Sequence, residues 1–125
     1  MTVLVVEDET PLLRAIKIKL EANGFNVLTA KTVKQAIDYL DEVGGVDAVW
    51  LDHYLIGKET GLDLAAYLKK HKKYKTLPIF VVSNTASPEK IDAYFKIPVA
   101  KYYIKANSRL SEIIQDIKNI LGTNK

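Results

Sequence analysis

The amino-acid sequence predicts an α/β fold in which a five-stranded parallel sheet is covered on both faces by five helices. The chain has 125 residues, of which 48% are hydrophobic and 26% charged, as expected for one globular domain. Short apolar runs rich in β-branched residues alternate along it with segments of helical periodicity. Because those runs are apolar without interruption, they are typical of strands that are buried on both faces.

Five apolar runs are predicted to form the strands. They are Val3–Val6, Val27–Thr29, Ala48–Leu51, Ile79–Val82 and Tyr102–Ile104. Each interval between successive runs has room for one helix and short loops. Such intervals favour right-handed crossovers between parallel strands, and therefore a doubly wound sheet.

The helices are predicted from apolar residues three and four positions apart, as in Leu13, Ile16 and Leu20. Residues typical of helix N-termini mark four of the helix starts. They are Thr10 before Pro11, Thr32 with Gln35 as a capping box, Ser87 before Pro88, and Ser108. A glycine, Gly24, marks the end of the first helix.

The composition excludes several classes of function. The chain has no cysteine, which excludes disulfides, thiolate metal sites and cysteine nucleophiles, and its two histidines are too few for a three-histidine metal site. The net charge of +3 is too small to indicate nucleic-acid binding. No apolar run approaches the roughly 20 residues of a membrane-spanning helix. We therefore expect a cytoplasmic protein with a single domain over residues 1–125.

Chemically reactive side chains follow four of the five predicted strands. Glu7 and Asp8 come after the first strand, Asp52 after the third, Ser83 after the fourth and Lys105 after the fifth. Open parallel sheets bind ligands at the carboxyl ends of their strands. We therefore expect these five residues to converge on one edge of the sheet.

These residue types indicate phosphoryl chemistry. Three neighbouring carboxylates repel one another unless a cation lies between them, and oxygen ligands favour a hard divalent ion such as Mg²⁺. With that ion neutralising its neighbours, an aspartate can attack phosphorus and form an acyl phosphate. Lys105 and Ser83 then offer hydrogen-bond donors to the phosphoryl oxygens.

The same residues resemble those of the receiver domain of two-component response regulators. The resemblance runs from Val3 to Leu121. It includes V-L-V-V-E-D-E-T-P-L-L-R around the first strand, D-A-V-W-L-D ending at Asp52, and Y-Y-I-K ending at Lys105. The resemblance implies the flavodoxin-like (CheY-like) fold, with strand order 2-1-3-4-5.

The resemblance also implies a role for each residue of the site. Asp52 accepts a phosphoryl group from the phosphohistidine of a histidine kinase or a phosphotransfer protein. Asp8, Asp52 and the backbone carbonyl of Tyr54 bind Mg²⁺ directly, and Glu7 acts through water.

The remaining implied roles concern switching and partners. Lys105 and Ser83 hold the phosphoryl oxygens. Ser83 and Tyr102 then change position and reshape the output face, which we define as the face formed by the fourth helix, the fifth strand and the fifth helix.

The resemblance implies a signalling domain and not an enzyme, although such domains assist their own phosphotransfer and dephosphorylation. We expect a downstream protein or a covalently linked output domain outside this chain as the further partner, and we expect phosphorylation to allow homodimerisation. Direct contact with nucleic acid or with a membrane is not expected.

Several positions depart from the family pattern. Ile56 stands where a proline is usual, and Gly61 lies nine residues after Asp52 instead of eight, so this loop is one residue longer. Ala106 replaces a proline that follows a cis peptide bond. Because a cis bond is costly without proline, a trans bond that alters the reach of Lys105 competes with the cis bond here, and the sequence leaves the choice between them open.

Three other functions compete with phosphorylation. A receiver-like scaffold that docks partners without phosphorylation is the main alternative, because of these altered positions. A phosphatase of the haloacid dehalogenase kind is disfavoured, since it needs a second aspartate where Tyr54 stands. Flavin binding is disfavoured because Glu7, Asp8 and Glu9 would repel its phosphate.

The ring of Tyr54 is expected to shield an acyl phosphate from water.

The remaining residues of note are expected to be structural. Trp50 is predicted to lie in the core and His53 to be exposed on its loop. The lysines between positions 69 and 75 are predicted to form a solvated basic loop. Tyr94, Phe95 and Tyr103 are predicted to form an aromatic patch on the output face, with at least one of them packed in the core.

Overall fold

The computed structural model describes residues 1–85 and 87–122. The strands are β1 (Thr2–Val6), β2 (Asn26–Ala30), β3 (Ala48–Leu51), β4 (Ile79–Ser83) and β5 (Lys101–Ile104). The α-helices are α1 (Thr10–Ala22), α2 (Val33–Glu42), α3 (Gly61–Lys70), α4 (Pro88–Lys96) and α5 (Leu110–Leu121), and a 3₁₀ turn covers Lys105–Asn107. All strands are parallel, in the order β2-β1-β3-β4-β5. The predicted alternation and the strand order are confirmed.

The register of the sheet aligns the ends of the strands that carry reactive residues. Val6 pairs with Leu51 across β1 and β3, and Ser83 pairs with Ile104 across β4 and β5. The N–H of Asp52 donates to the carbonyl of Val6 at 3.0 Å, just beyond the end of β3. The residues that follow these strands therefore come out at the same edge of the sheet.

The sheet separates two apolar layers. On one face, Ile16 of α1 and Ile113 of α5 belong to the same cluster as Trp50. On the other face, α2, α3 and α4 form a second cluster that includes Leu40 and Tyr94. Trp50 is only 1% exposed, which confirms its predicted place in the core.

The predicted capping residues are only partly correct. The Thr32 hydroxyl accepts the N–H of Gln35, as predicted, but the Gln35 side chain accepts from the residue before the cap. Helix α1 includes Thr10, so the prediction that Thr10 caps it is wrong; the Thr10 hydroxyl accepts from the ammonium of Lys31. The prediction for Ser108 is also wrong, because its hydroxyl donates to a carbonyl at the end of β5. Both hydroxyls have partners that lie outside the helix concerned.

A fourth predicted cap, Ser87, occupies the N-cap position of α4. Its hydroxyl donates to the carboxylate of Glu89 at 2.8 Å and makes no capping bond to the backbone of the helix. The position was therefore predicted correctly, but the capping interaction was not.

The lysines between positions 69 and 75 are exposed, as predicted, except for Lys69 near the end of α3, which is partly buried. The ammonium of Lys69 donates to the carbonyls of Lys75 and Leu77 at 3.2 and 3.0 Å. Lys69 therefore holds the loop against the end of its helix. Within the two described stretches, no helix combines the length and the apolar character needed to cross a membrane.

The three aromatic residues assigned to the output face differ in their surroundings. Tyr94 is fully buried, while Phe95 on the same helix is 49% exposed. Tyr103 is half-buried, and its hydroxyl donates to the carboxylate of Asp116 on α5. One of the three thus lies in the core, as predicted, and Phe95 is the part of the set most open to solvent.

Candidate functional site

Three carboxylates meet at the carboxyl edge of the sheet, where they were predicted. Glu7 and Asp8 follow β1, and Asp52 follows β3. One oxygen from each lies within 4.8 Å of the others. Glu7 is fully buried and Asp52 is 3% exposed, while Asp8 is only partly buried. Solvent therefore reaches the cluster at Asp8 and not at Glu7.

The Lys105 side chain extends into this carboxylate cluster from the end of β5. Its Nζ lies 2.8 Å from Glu7 Oε1 and 3.3 Å from Asp52 Oδ2. The peptide bond between Lys105 and Ala106 is trans, which answers the question that the sequence left open. The 3₁₀ turn that begins at Lys105 still brings the ammonium to Asp52, so the trans bond does not keep the side chain from the site.

Burial and hydrogen bonding act in opposite directions on the charged groups of the cluster. Burial raises the pKa of Glu7 to about 7, against the hydrogen bonds from Lys105 and from the N–H of Glu9, and the nearby charge of Asp52 adds to the rise. Burial lowers the pKa of Lys105, but its hydrogen bond to Glu7 and the charges of Asp52 and Glu7 outweigh that effect and raise it. One ammonium is thus shared among several carboxylates, which leaves room for a further cation.

The two predicted switch residues both contact residue 85. Ser83 is fully buried, and its hydroxyl accepts the N–H of Thr85 at 3.3 Å. The hydroxyl of Tyr102 donates to the carbonyl of Thr85 at 2.7 Å. Among the contacts of the described residues, neither hydroxyl is bonded to Asp52. The structure therefore places Ser83 and Tyr102 beside the carboxylate cluster and linked to each other through Thr85.

His53 contradicts the expectation that it is exposed, because it is 5% exposed and bonded at both ends. Its backbone N–H donates to Asp52 Oδ1 at 2.8 Å, and its Nδ1 lies 2.6 Å from the hydroxyl of Tyr94. Burial, with the nearby charge of Lys90, lowers the pKa of His53. Its partner Tyr94 lies 41 positions after His53 in the chain, so no local sequence pattern predicts this pair.

Gly61 is a second residue whose role the sequence did not reveal. It opens α3, and its N–H donates to the carbonyl of His53 at 2.9 Å. A Cβ at this position would lie 2.2 Å from the backbone oxygen of Asp52. Only glycine lets the helix start this close to the strand end. In the sequence, the one sign of this role is the short interval between Asp52 and Gly61.

The loop that joins β3 to α3 carries an exposed aromatic ring. Tyr54 is 51% exposed, and Lys90 of α4 places its ammonium 5.4 Å from the centre of that ring. Further along, the N–H of Ile56 donates to the carbonyl of Lys31 at 3.2 Å. The longer loop is therefore tied to the neighbouring loop after β2.

The residues of the cluster fit a hard divalent cation. All three acidic groups offer oxygen, which Mg²⁺ prefers, and they are close enough to share one ion. Burial is the main cause of the raised pKa of Glu7, so the charged form of this carboxylate is costly here. An added cation at this edge would favour the charged form.

Comparisons with known proteins agree on one family. Residues 3–118 match the response regulator receiver domain. The two-component response regulator ORR13 of Oryza sativa is 30% identical over 103 residues, which cover 82% of this chain and 84% of that protein. The phosphate regulon transcriptional regulatory protein PhoB of Escherichia coli is 31% identical over 120 residues, or 95% of this chain. The match spans only 51% of PhoB, about half of its length.

A solved structure is similar over nearly the whole chain. It is that of the phosphorylated cyanobacterial phytochrome response regulator RcpA, with a TM-score of 0.79 and 26% identity. The superposition covers 95% of this chain and 89% of that chain. The likeness therefore extends over most of both chains.

Proposed function

Because this chain belongs to the response regulator receiver family, we propose that Asp52 accepts a phosphoryl group from the phosphohistidine of a histidine kinase or phosphotransfer protein. One observation carries the proposal: the carboxylate of Asp52 lies 3.3 Å from the Lys105 ammonium and shares the sheet edge with two other acids. The related RcpA was solved as a phosphorylated protein. The domain is proposed to span residues 1–125 and to act in the cytoplasm.

The transfer needs one nucleophile and donors for the phosphoryl oxygens. A carboxylate oxygen of Asp52 attacks phosphorus, and the bond from phosphorus to the partner's imidazole nitrogen breaks with its electron pair left on nitrogen. The product is an acyl phosphate on Asp52. Lys105 donates to the phosphoryl oxygens, and Ser83 adds its hydroxyl after a shift toward them. Neither residue is consumed, so the domain assists its own modification while serving as a signalling element.

Magnesium is the cofactor that this donor set would hold. The ion would be bound directly by Asp8, Asp52 and the backbone carbonyl of Tyr54, and through water by Glu7. When bound, Mg²⁺ offsets the negative charge of the carboxylates and of the incoming phosphoryl oxygens. The protein's own contribution is to hold these groups together before the partner arrives, as the buried ion pair of Glu7 and Lys105 does.

The proposed consequence is a switch of the output face. A shift of Ser83 toward the phosphoryl group would disturb its contact with Thr85, which Tyr102 also contacts. Tyr102 lies on β5 with its ring 5.5 Å from that of Tyr94 on α4. Its movement would therefore change the surface offered to a downstream protein, to a linked output domain or to a second copy of the chain. The phosphoryl group biases such a switch only through contacts made in one of the two states.

Treatment with acetyl phosphate and Mg²⁺, followed by intact mass measurement, tests the proposal. The wild type should gain the mass of one phosphoryl group, and Asp52→Asn should gain none. Asp38→Asn removes an exposed carboxylate on α2 and should be modified like the wild type. No adduct on the wild type would favour the phosphorylation-independent docking scaffold instead.

Mg²⁺ should raise the melting temperature of the metal-free protein, because it binds the assembled cluster and not the unfolded chain. Asp8→Asn should lose most of this rise, since it removes the most open of the three carboxylates. Asp38→Asn removes a carboxylate that pairs with Lys34 at 2.9 Å and is not part of the cluster, so this variant should keep the rise. Scanning calorimetry with and without Mg²⁺ measures the difference. Equal rises in all three proteins would contradict a site at this edge.

Tyr54→Asn should shorten the lifetime of the phosphoryl group on Asp52. The ring of Tyr54 lies 4.9 Å from that of His53, the residue that follows Asp52. We expect the Tyr54 ring to limit the approach of water to the acyl phosphate. The rate at which the phosphoryl mass is lost after removal of acetyl phosphate measures this effect. Tyr67→Asn, on α3 and 37% exposed, is the control. Decay of the Tyr54 variant at the wild-type rate would argue against shielding.

A further inference from the structure

Building on the proposed function, we propose that His53 and Tyr94 form a positioning pair that couples the carboxylate of Asp52 to helix α4. The hydrogen bonds of this pair are distinct from those of Ser83 and Tyr102 to Thr85. It gives the phosphoryl site a second connection to the output face, and this connection starts at the residue next to Asp52.

His53 makes contact with the phosphoryl site and with α4 at the same time. Its backbone N–H donates to Asp52 Oδ1 at 2.8 Å. Its ring nitrogen Nδ1 lies 2.6 Å from the hydroxyl of Tyr94. His53 is 5% exposed and Tyr94 is fully buried, so water does not readily replace either partner. A displacement of the Asp52 carboxylate therefore acts on α4 through one residue.

The packing around the pair restricts its movement. The ring of His53 lies edge-on to those of Tyr54 and Tyr94, with centroids 4.9 and 5.7 Å away. On its other side, the Tyr94 ring is 5.5 Å from that of Tyr102. Tyr94 thus touches both the residue beside the phosphoryl site and the proposed switch residue. A movement of either one requires Tyr94 to adjust.

Phosphorylation changes the hydrogen bond from which this connection begins. In the unmodified protein the N–H of His53 donates to a carboxylate, which is a charged and strong acceptor. An acyl phosphate leaves a weaker acceptor at the acyl oxygen, so the same N–H is held less firmly. The bond therefore differs between the two states, and such a difference is what can bias the position of α4. By linkage, a phosphoryl mimic on Asp52 changes the affinity for a partner that fixes α4, and that partner changes the affinity of Asp52 for the mimic by the same factor.

Because the pair favours the unmodified state, removing it should ease modification. In NMR titrations of the whole chain with beryllofluoride and Mg²⁺, Tyr94→Phe should bind the mimic about fivefold more tightly than the wild type. The backbone signals of α4 should also shift less on binding, while those of Asp8 shift as in the wild type. Tyr94→Phe keeps the ring, so the core is filled. Tyr103→Phe removes a different bonded hydroxyl and serves as the control.

A double-mutant cycle separates coupling from a merely structural role. If His53→Leu and Tyr94→Phe act through one hydrogen bond, the double variant should bind the mimic no more tightly than the more affected single variant. Additive effects, or wild-type affinity and wild-type α4 shifts in Tyr94→Phe, would overturn the inference. A wild-type protein that does not respond to beryllofluoride would overturn the proposed function, and this inference with it.

Discussion

Lys105→Met should lower the free energy of unfolding of the metal-free protein by about 3 kcal/mol. The Lys105 ammonium lies 2.8 Å from Glu7 Oε1 and 3.3 Å from Asp52 Oδ2, and both carboxylates are almost fully buried. Methionine keeps most of the side-chain length but leaves these acids without a cation. Each acid must then stay charged away from water or take up a proton, and both outcomes destabilise the fold at neutral pH.

Urea unfolding in the presence of a chelator measures this loss. Lys101→Met is the matched control, because Lys101 lies on the same strand and pairs with Asp116 at 3.8 Å on the surface. Exposed ion pairs contribute at most about 1 kcal/mol, so the control should lose little. Mg²⁺ should restore part of the stability of Lys105→Met by supplying the missing charge, and it should have no such selective effect on the control. Equal losses in the two variants would contradict the electrostatic role of Lys105.

Gly61→Ala should lower the free energy of unfolding by about 2–3 kcal/mol and impair phosphoryl uptake. The new Cβ would lie 2.2 Å from the backbone oxygen of Asp52 and 3.0 Å from its carbonyl carbon. Backbone atoms cannot rotate away as a side chain does, so the start of α3 and the end of β3 must separate. That movement displaces Asp52 from Lys105 and disturbs the bond from Gly61 N–H to the carbonyl of His53.

Gly44→Ala provides the comparison for Gly61. Gly44 has a φ of +70° and no atoms near its added Cβ, so alanine there meets only the left-handed backbone cost of about 1–2 kcal/mol. Both variants are expected to be less stable than the wild type, but only Gly61→Ala should also slow the gain of the phosphoryl mass from acetyl phosphate. Normal uptake by a folded Gly61→Ala protein would show that the close approach does not matter to the site.

Much of the fold could be predicted because its elements are marked locally. The core of every strand was found from its apolar run, although β2 extends one residue beyond the prediction at each end. Spacing and composition do not say which strands are neighbours, so the order 2-1-3-4-5 came from the family resemblance. The two wrong caps have a common cause: the hydroxyls of Thr10 and Ser108 bond to Lys31 and to the end of β5. Such tertiary partners are invisible in a local pattern.

The candidate site was predictable wherever it depends on strand ends. Glu7, Asp8, Asp52 and Lys105 meet because parallel strands finish at one edge. His53 was misjudged because its burial depends on Tyr94, a residue on another element. A sequence also gives no interatomic distances, so the contact between Gly61 and the backbone of Asp52 could not be anticipated.

Identification of the modified residue is the decisive experiment for the role of Asp52. Protein treated with acetyl phosphate and Mg²⁺ can be reduced with borohydride, which converts an aspartyl phosphate into homoserine, and then mapped by peptide mass spectrometry. We predict homoserine at position 52 and unmodified aspartate at position 8. Homoserine at position 8, or an intact Asp52 in protein that carries the phosphoryl mass, would contradict the assignment of Asp52 as the phosphoacceptor.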